Sequence, residues 1–386
     1  MRVVELTERR PQLVRVPRAD AVELRRRYGF AFDVVPGWVR GTIRVTPRGV
    51  VGTVMTAGVR WVVRPKLPAE ALYRLIDPDY TPGGTTAGQA WVDNLGDLLA
   101  GRLSKLLADR TVGGVRADYI ERRRNDAAVR GRIDFPRLAR SSHPFAPVPV
   151  VTDEFTADVP WNQIPKAAAM HLLSHGGLTA TVRARLAVAM EPFASVSGRV
   201  PPPAEWDALI ALPRTTPYRD ILAWSQVILT SLAVCTGSNY LCNMERLFEN
   251  YITTNLGLIT QPKRYAVVSG RMIVVPGIYG SSVVLRPDLV ALDGDGVPRA
   301  VFDAKWKVLS SSGPNPADVH QALAYALTFG VRTTGLIYPG RRFARTAYQL
   351  PRGAGRFWVV QLRLTGDPSR IAAGLRWLGR RCVNDR

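Results

Sequence analysis

Asp303 and Lys305 stand one residue apart, Lys307 follows after one more, and Asp288 lies fifteen residues upstream behind Pro287. Carboxylates of this kind suit a hard divalent cation such as Mg2+, which takes oxygen ligands. Hydrolysing a phosphodiester needs such a cation, to neutralise charge on the transferring group and to generate hydroxide near neutral pH. A nearby lysine can orient water without competing as a ligand. The chemistry these types point to is metal-assisted phosphodiester hydrolysis.

The elements must bring the groups together. In Val301-Phe302-Asp303-Ala304-Lys305-Trp306-Lys307-Val308 a strand period of two places Asp303, Lys305 and Lys307 on one face. Phe302, Ala304, Trp306 and Val308 take the other face, which must then be packed. Strands are expected over 282–292 and 299–309, joined at the turn Asp293-Gly294-Asp295-Gly296. Such a hairpin sets Asp288 beside Asp303, since paired strands lie about 4.8 Å apart. Two carboxylates that close repel unless a cation bridges them. Upstream, Met244, Leu247, Phe248, Tyr251, Ile252 and Leu256 form a helical stripe, with Glu245 and Glu249 on its edge. Downstream, a helix over 317–329 carries Val319, Leu323, Ala326 and Leu327 as its apolar positions and puts Gln321 and Tyr325 on one face. Asp-x-Lys alone is common and usually marks an exposed strand with an ion pair; all four elements in this order make a much more specific signal.

The totals agree. Among 386 residues, 52 Lys plus Arg oppose 31 Asp plus Glu, a net charge of +21. A field of that sign attracts polyanions, nucleic acid first among them. Only six of the basic residues are lysines, which makes the pair at 305 and 307 more informative. Three cysteines without a C-x-x-C pair argue against a disulfide framework or zinc site. No apolar run reaches the roughly 18 residues that span a bilayer, and MRVVELTERRPQ lacks the apolar core of a signal peptide. A cytoplasmic protein without membrane contact is expected.

The fold class expected is multidomain α+β. Residues 1–88 read as a β-rich N-terminal domain, with alternation through 38–65, a short helix at 69–76 and a linker candidate at 81–86. Residues 89–235 read as a mainly helical middle region. Within it, Arg116 to Asp134 is either a solvated helix face and loop or a projecting surface that grips DNA or a partner subunit, through Arg122, Arg123, Arg124, Arg130 and Arg132. Residues 236–386 read as an α/β domain bearing the chemistry.

Asp288, Asp303 and Lys305 resemble the PD-(D/E)xK nuclease motif, and Gln321-x-x-x-Tyr325 is similar to a helix found in several branches of that superfamily. More narrowly, residues 244–251, 285–288, 302–307 and 320–325 resemble the McrC family, nuclease subunits of modified-cytosine restriction systems. Arg130-Gly131-Arg132-Ile133 and the run from Asp153 to Asn162 agree. The resemblance is good over 116–330 and faint before residue 90. It implies a restriction-endonuclease-like fold for 236–386, with Asp288 and Asp303 as ligands of Mg2+ (or Mn2+ in its place). Lys305 would act on the attacking water and the transition-state charge, and Glu249 would be the helix carboxylate. Glu245, Lys307, Gln321 and Tyr325 would support them. It further implies double-stranded DNA as substrate, restriction of 5-methylcytosine-containing or foreign DNA as in antiviral defence, and a GTP-dependent AAA+ partner, McrB-like, docked by the first two regions and stimulated in its GTPase. No G-x-x-x-x-G-K-[ST] loop occurs in this chain, as such a division of labour requires.

His171 and His175 have ligand spacing but run into Gly176-Gly177, so a helix C-terminus accounts for them better. His320 could approach the cleft without an evident role. Two readings compete with the nuclease: an idle scaffold that activates an AAA+ partner, and a DNA-binding protein without catalysis.

Overall fold

The computed structural model describes residues 1–76, 95–140, 147–174, 177–202, 205–206, 209, 212–234, 239–260, 266–268, 273–276 and 282–383. The linker candidate at 81–86, Cys235 and His175 lie outside them. The chain is a mixed α/β protein with several sheets.

A five-stranded sheet starts the molecule. Arg2–Thr7 runs parallel to Val59–Arg64, which pairs with Val50–Met55. The neighbour of Val50–Met55 is Tyr240–Asn243, followed by Leu232–Val234. A strand from the far end of the middle region thus completes the N-terminal sheet. The largest core likewise runs from Val51 and Leu72 through Leu103, Ile164 and Ile228 to Phe248, Trp306 and Trp377, across both expected boundaries. A second core, with Leu24, Tyr28 and Trp61, lies under the helix Arg18–Tyr28. That helix was not expected, because three consecutive arginines obscure its buried Ala21, Leu24 and Tyr28.

The middle region contains the helix Leu95–Arg110, with Leu95, Leu99, Leu103, Leu106 and Leu107 buried. Its polar stretch departs from the helix-and-loop expectation. Asp118–Asp126 is a strand, paired antiparallel with Val148–Thr156, which also holds Arg132–Ile133. Exposed Tyr119 and Phe155 stack across this ribbon with centroids 5.1 Å apart. Charged side chains satisfied by neighbours on a two-sided ribbon leave no apolar period to read.

The C-terminal part holds a six-stranded sheet in the order Ala266–Val268, Leu289–Leu292, Pro298–Ala304, Thr333–Gly340, Arg356–Arg363, Ala344–Gln349. The expected strand over 282–292 is broken in two. Ser282–Leu285 pairs with Ile273–Pro276 in a separate ribbon, and Arg286-Pro287-Asp288 bends the chain before Leu289. Pro287 has no N–H to give to a ladder. The expected strand over 299–309 ends at Ala304. Beyond it Lys307 N–H donates to Lys305 O (2.7 Å), a tight turn that leaves the sheet. The turn at 293–296 forms as expected, with Asp293 accepting from Asp295 and Val297 N–H.

Candidate active site

Two helices flank the candidate site at the ends of the paired strands Leu289–Leu292 and Pro298–Ala304. Met244–Thr260 starts at Asn243, whose side chain accepts from the N–H groups of Glu245 and Arg246, a conventional N-cap. The stripe read from the sequence is its buried face. Pro316–Phe329 starts with Asn315 accepting from Ala317 N–H (2.8 Å) and Pro316 in the first turn, and it ends on Gly330 at φ 65°. Its buried face is Ala322, Tyr325, Ala326 and Phe329, whereas Leu327, expected in the stripe, is 82% exposed.

The hairpin register sets Leu289 opposite Phe302, so Asp288 and Asp303 are the residues just beyond that last pair. Asp288 Oδ2 accepts from Ala304 N–H at 2.7 Å. Burial, then the charges of Asp303 and Glu249, hold the Asp288 carboxyl well above the usual carboxylate range. Asp303 is 2% exposed, and its Oδ2 has no hydrogen bond of normal geometry among the described residues, although Lys305 Nζ forms an ion pair with it. Lys305 Nζ also donates to Gln321 Oε1 (2.9 Å), Gln321 Nε2 to Tyr325 OH (2.8 Å), and Tyr325 OH to Arg286 O (3.1 Å). Burial alone would lower Lys305; Asp303, Asp288 and Asp318 outweigh it and keep the ammonium above the ordinary lysine range.

A cleft of about 550 Å³ opens over these groups, lined by Arg9, Asn243, Glu245, Arg246, Glu249, Arg286, Asp288, Ala304, Lys305 and Lys307. The structure thus gathers Asp288, Asp303, Lys305, Gln321 and Tyr325, with Glu249 in the wall. Glu245 is exposed and ion-paired with Arg9. Lys307 Nζ is held by both oxygens of Asp318 at 3.0 Å. His320 is exposed. The five arginines of the middle region sit elsewhere: Arg122 pairs with Glu154 (3.2 Å), Arg123 and Arg132 with Glu121, and Arg124 with Asp126 (3.5 Å), while Arg130 is exposed.

Several residues of the site lay outside the motif. Arg246 and Arg286 adjoin motif residues and were legible by adjacency. Trp306 is 1% exposed, and N-terminal side chains hold it: its indole N–H donates to Glu8 Oε2 (2.9 Å), and Lys66 Nζ donates to its carbonyl. Val308, expected on the same packed face, is 60% exposed. Lys66 lies 3.7 Å from Glu8 and over the indole ring at 5.0 Å. Burial pulls the Lys66 ammonium down to about 8 and pushes the Glu8 carboxyl up. Nothing near Glu8 or Arg9 in the sequence announces these contacts.

Among the described residues no three His, Cys, Asp or Glu groups converge closely enough to hold a metal by themselves. Mg2+ does not require that, since it is commonly held by one or two carboxylates with several waters retained. A paired Asp288 and Asp303, one carboxyl destabilised as an anion and one buried oxygen lacking a normal hydrogen bond, fit such an ion.

The model of the McrBC 5-methylcytosine restriction system component family matches residues 48–339. The chain belongs to this McrBC family. A search of curated proteins finds no match. Among solved structures, the half-complex from a tetradecameric assembly of Thermococcus gammatolerans McrB AAA+ hexamers with bound McrC is similar over 97% of this chain and 98% of the other, at 15% identity and TM-score 0.43. The McrBC complex of the same organism is similar over 65% and 85%, at 17% identity and TM-score 0.38. The McrBC family match takes in every motif residue from Glu245 to Tyr325, whereas Glu8 and Arg9 lie outside it. No helix among the described residues is long and apolar enough to cross a membrane.

Proposed function

We propose that this chain is the McrC-type nuclease subunit of its restriction system, a PD-(D/E)xK enzyme that hydrolyses DNA phosphodiesters. The observation that carries this is the juxtaposition of Asp288, Asp303 and Lys305 at one sheet edge, with the lysine held by Gln321 and Gln321 by Tyr325.

Asp288 and Asp303 would hold Mg2+ (or Mn2+), which when bound supplies charge neutralisation and a water of lowered pKa. The remaining steps belong to the chain. Lys305 arrives charged and fixed between Asp303 and Gln321, so it can donate to the attacking water or to a phosphoryl oxygen as negative charge grows there. Gln321 and Tyr325 set that ammonium through a chain ending on Arg286 O. Glu249, across the cleft, can accept from the water's second proton or from a hydrated ligand. Arg246 and Arg286 line the same cleft and complement the phosphate backbone. The partner in this reading is a McrB-like AAA+ GTPase, as in the McrB AAA+ hexamers with bound McrC to which the chain is similar. Cytoplasmic location follows from the same reading.

The test is plasmid cleavage with Mg2+ or Mn2+ by wild type and Asp303→Ala, with and without a McrB-type protein and GTP, on methylated and unmethylated DNA. We expect cleavage by the wild type and at least a thousandfold loss in the variant. Folded wild-type protein that cuts nothing, yet still raises the partner's GTPase, would favour the idle-scaffold reading instead.

A further inference from the structure

We infer that the N-terminal sheet completes the catalytic cleft, and that Arg9 binds a backbone phosphate of the nucleic acid there. This rests on reading the cleft as a DNA site, but it concerns a residue outside the motif and outside the matched family span.

Arg9 stands two residues beyond the first strand and lies at φ 58°, a left-handed conformation that costs a non-glycine residue free energy. The turn around it is arranged to hold it so. Its N–H donates to Pro47 O at 3.0 Å. Gly49, itself at φ 65°, faces its guanidinium, and a Cβ there would stand 3.1 Å from Arg9 Nη2. Gly49 O in turn accepts from Met244 N–H (3.0 Å), the first residue of the Glu249 helix. The turn that carries Arg9 is therefore fastened to the helix that walls the cleft.

The guanidinium enters that cleft and pairs with Glu245, half of whose side chain is exposed, while its Nε lies 3.9 Å from Glu8 behind it. An exposed pair adds little to stability, too little to explain why a strained backbone is kept to make it. A guanidinium fork matches a phosphate bidentately. Arg246, Arg286, Lys305 and Lys307 line the same space, so a polyanion laid across it meets Arg9 in line with them. Glu245 then holds Arg9 in place until a phosphate takes over the guanidinium.

A static strut and a phosphate ligand predict opposite signs for Glu245→Gln and different salt slopes for Arg9→Ala. Binding of a fluorescent DNA duplex by the full chain is measured in EDTA across a salt series. Arg9→Ala should weaken binding several-fold and lower the slope of log K against log salt by about 0.9, one phosphate contact. Arg9→Lys should keep the slope, since the charge remains. Glu245→Gln, which frees the guanidinium, should tighten binding. The inference is overturned if Arg9→Ala leaves the slope unchanged, or if Glu245→Gln weakens binding as well, as loss of a strut would. Should Arg9→Ala fail to fold, the Glu245→Gln arm decides alone. No arm needs cleavage, so a wild type that cuts nothing would sink the nuclease reading and leave the phosphate contact standing.

Discussion

Asp288 and Asp303 lie side by side where burial and mutual repulsion disfavour two negative charges, a conflict that the proposed metal would relieve. Asp288→Asn removes the repulsion, and its amide oxygen can still accept from Ala304 N–H. The variant should therefore melt at the wild-type temperature or higher, a gain of about 0.5–2 kcal/mol, while losing cleavage and Mg2+ binding. Calorimetry with and without Mg2+ checks both halves; a clear destabilisation would contradict the repulsion argument. Tyr325→Phe takes away the hydroxyl that Gln321 donates to, and with it one anchor of Lys305. Cleavage should fall about fivefold, the worth of one hydrogen bond of roughly 1 kcal/mol. An unchanged rate would remove Tyr325 from the site.

Between the strand end at Ala304 and the helix beginning at Pro316, the geometry of the site depends on what grips the intervening loop. Glu8 and Lys66 hold Trp306 by its indole N–H and its carbonyl, so that Lys305 and Lys307 on either side turn toward the Gln321 helix. Trp306→Phe leaves a carboxylate that is 2% exposed without its indole donor, at a cost of about 1–3 kcal/mol. Cleavage should drop too, although Trp306 faces away from the cleft. The same group gives a pH signature. With Lys66 at about 8 in the fold and 10.5 unfolded, the unfolded chain binds an extra proton between those values, so stability rises with pH across that window. Stability measured by denaturant from pH 7.5 to 10 should show this rise in the wild type, and Lys66→Met should flatten it.

At the scale of the whole molecule, the N-terminal sheet takes in Tyr240–Asn243, and the largest core passes through all three stretches of sequence. A fragment starting at 236 would carry every motif residue but lack the neighbours of that strand, Glu8 and Lys66. It should be unfolded or inactive, and circular dichroism with a cleavage assay would tell. A folded, active fragment would show the C-terminal part to be autonomous.

The sequence by itself determined the local elements that carry the candidate site. The helix stripe from Met244 to Leu256, the Asp293–Gly296 turn, the order Asp288, Asp303, Lys305 and the Gln321–Tyr325 spacing were legible because each rests on a period or a turn preference within a few residues. The breaks at Pro287 and beyond Ala304 were not, because a strand's length depends on which neighbours accept its hydrogen bonds. Nor could Arg9, Glu8 and Lys66 be placed. Charged residues far from a motif acquire their meaning from the sheet that carries them to it. Only the tertiary structure, by closing residues 1–66 onto the Glu249 helix and the Trp306 loop, decided that the N-terminal sheet forms one wall of the cleft.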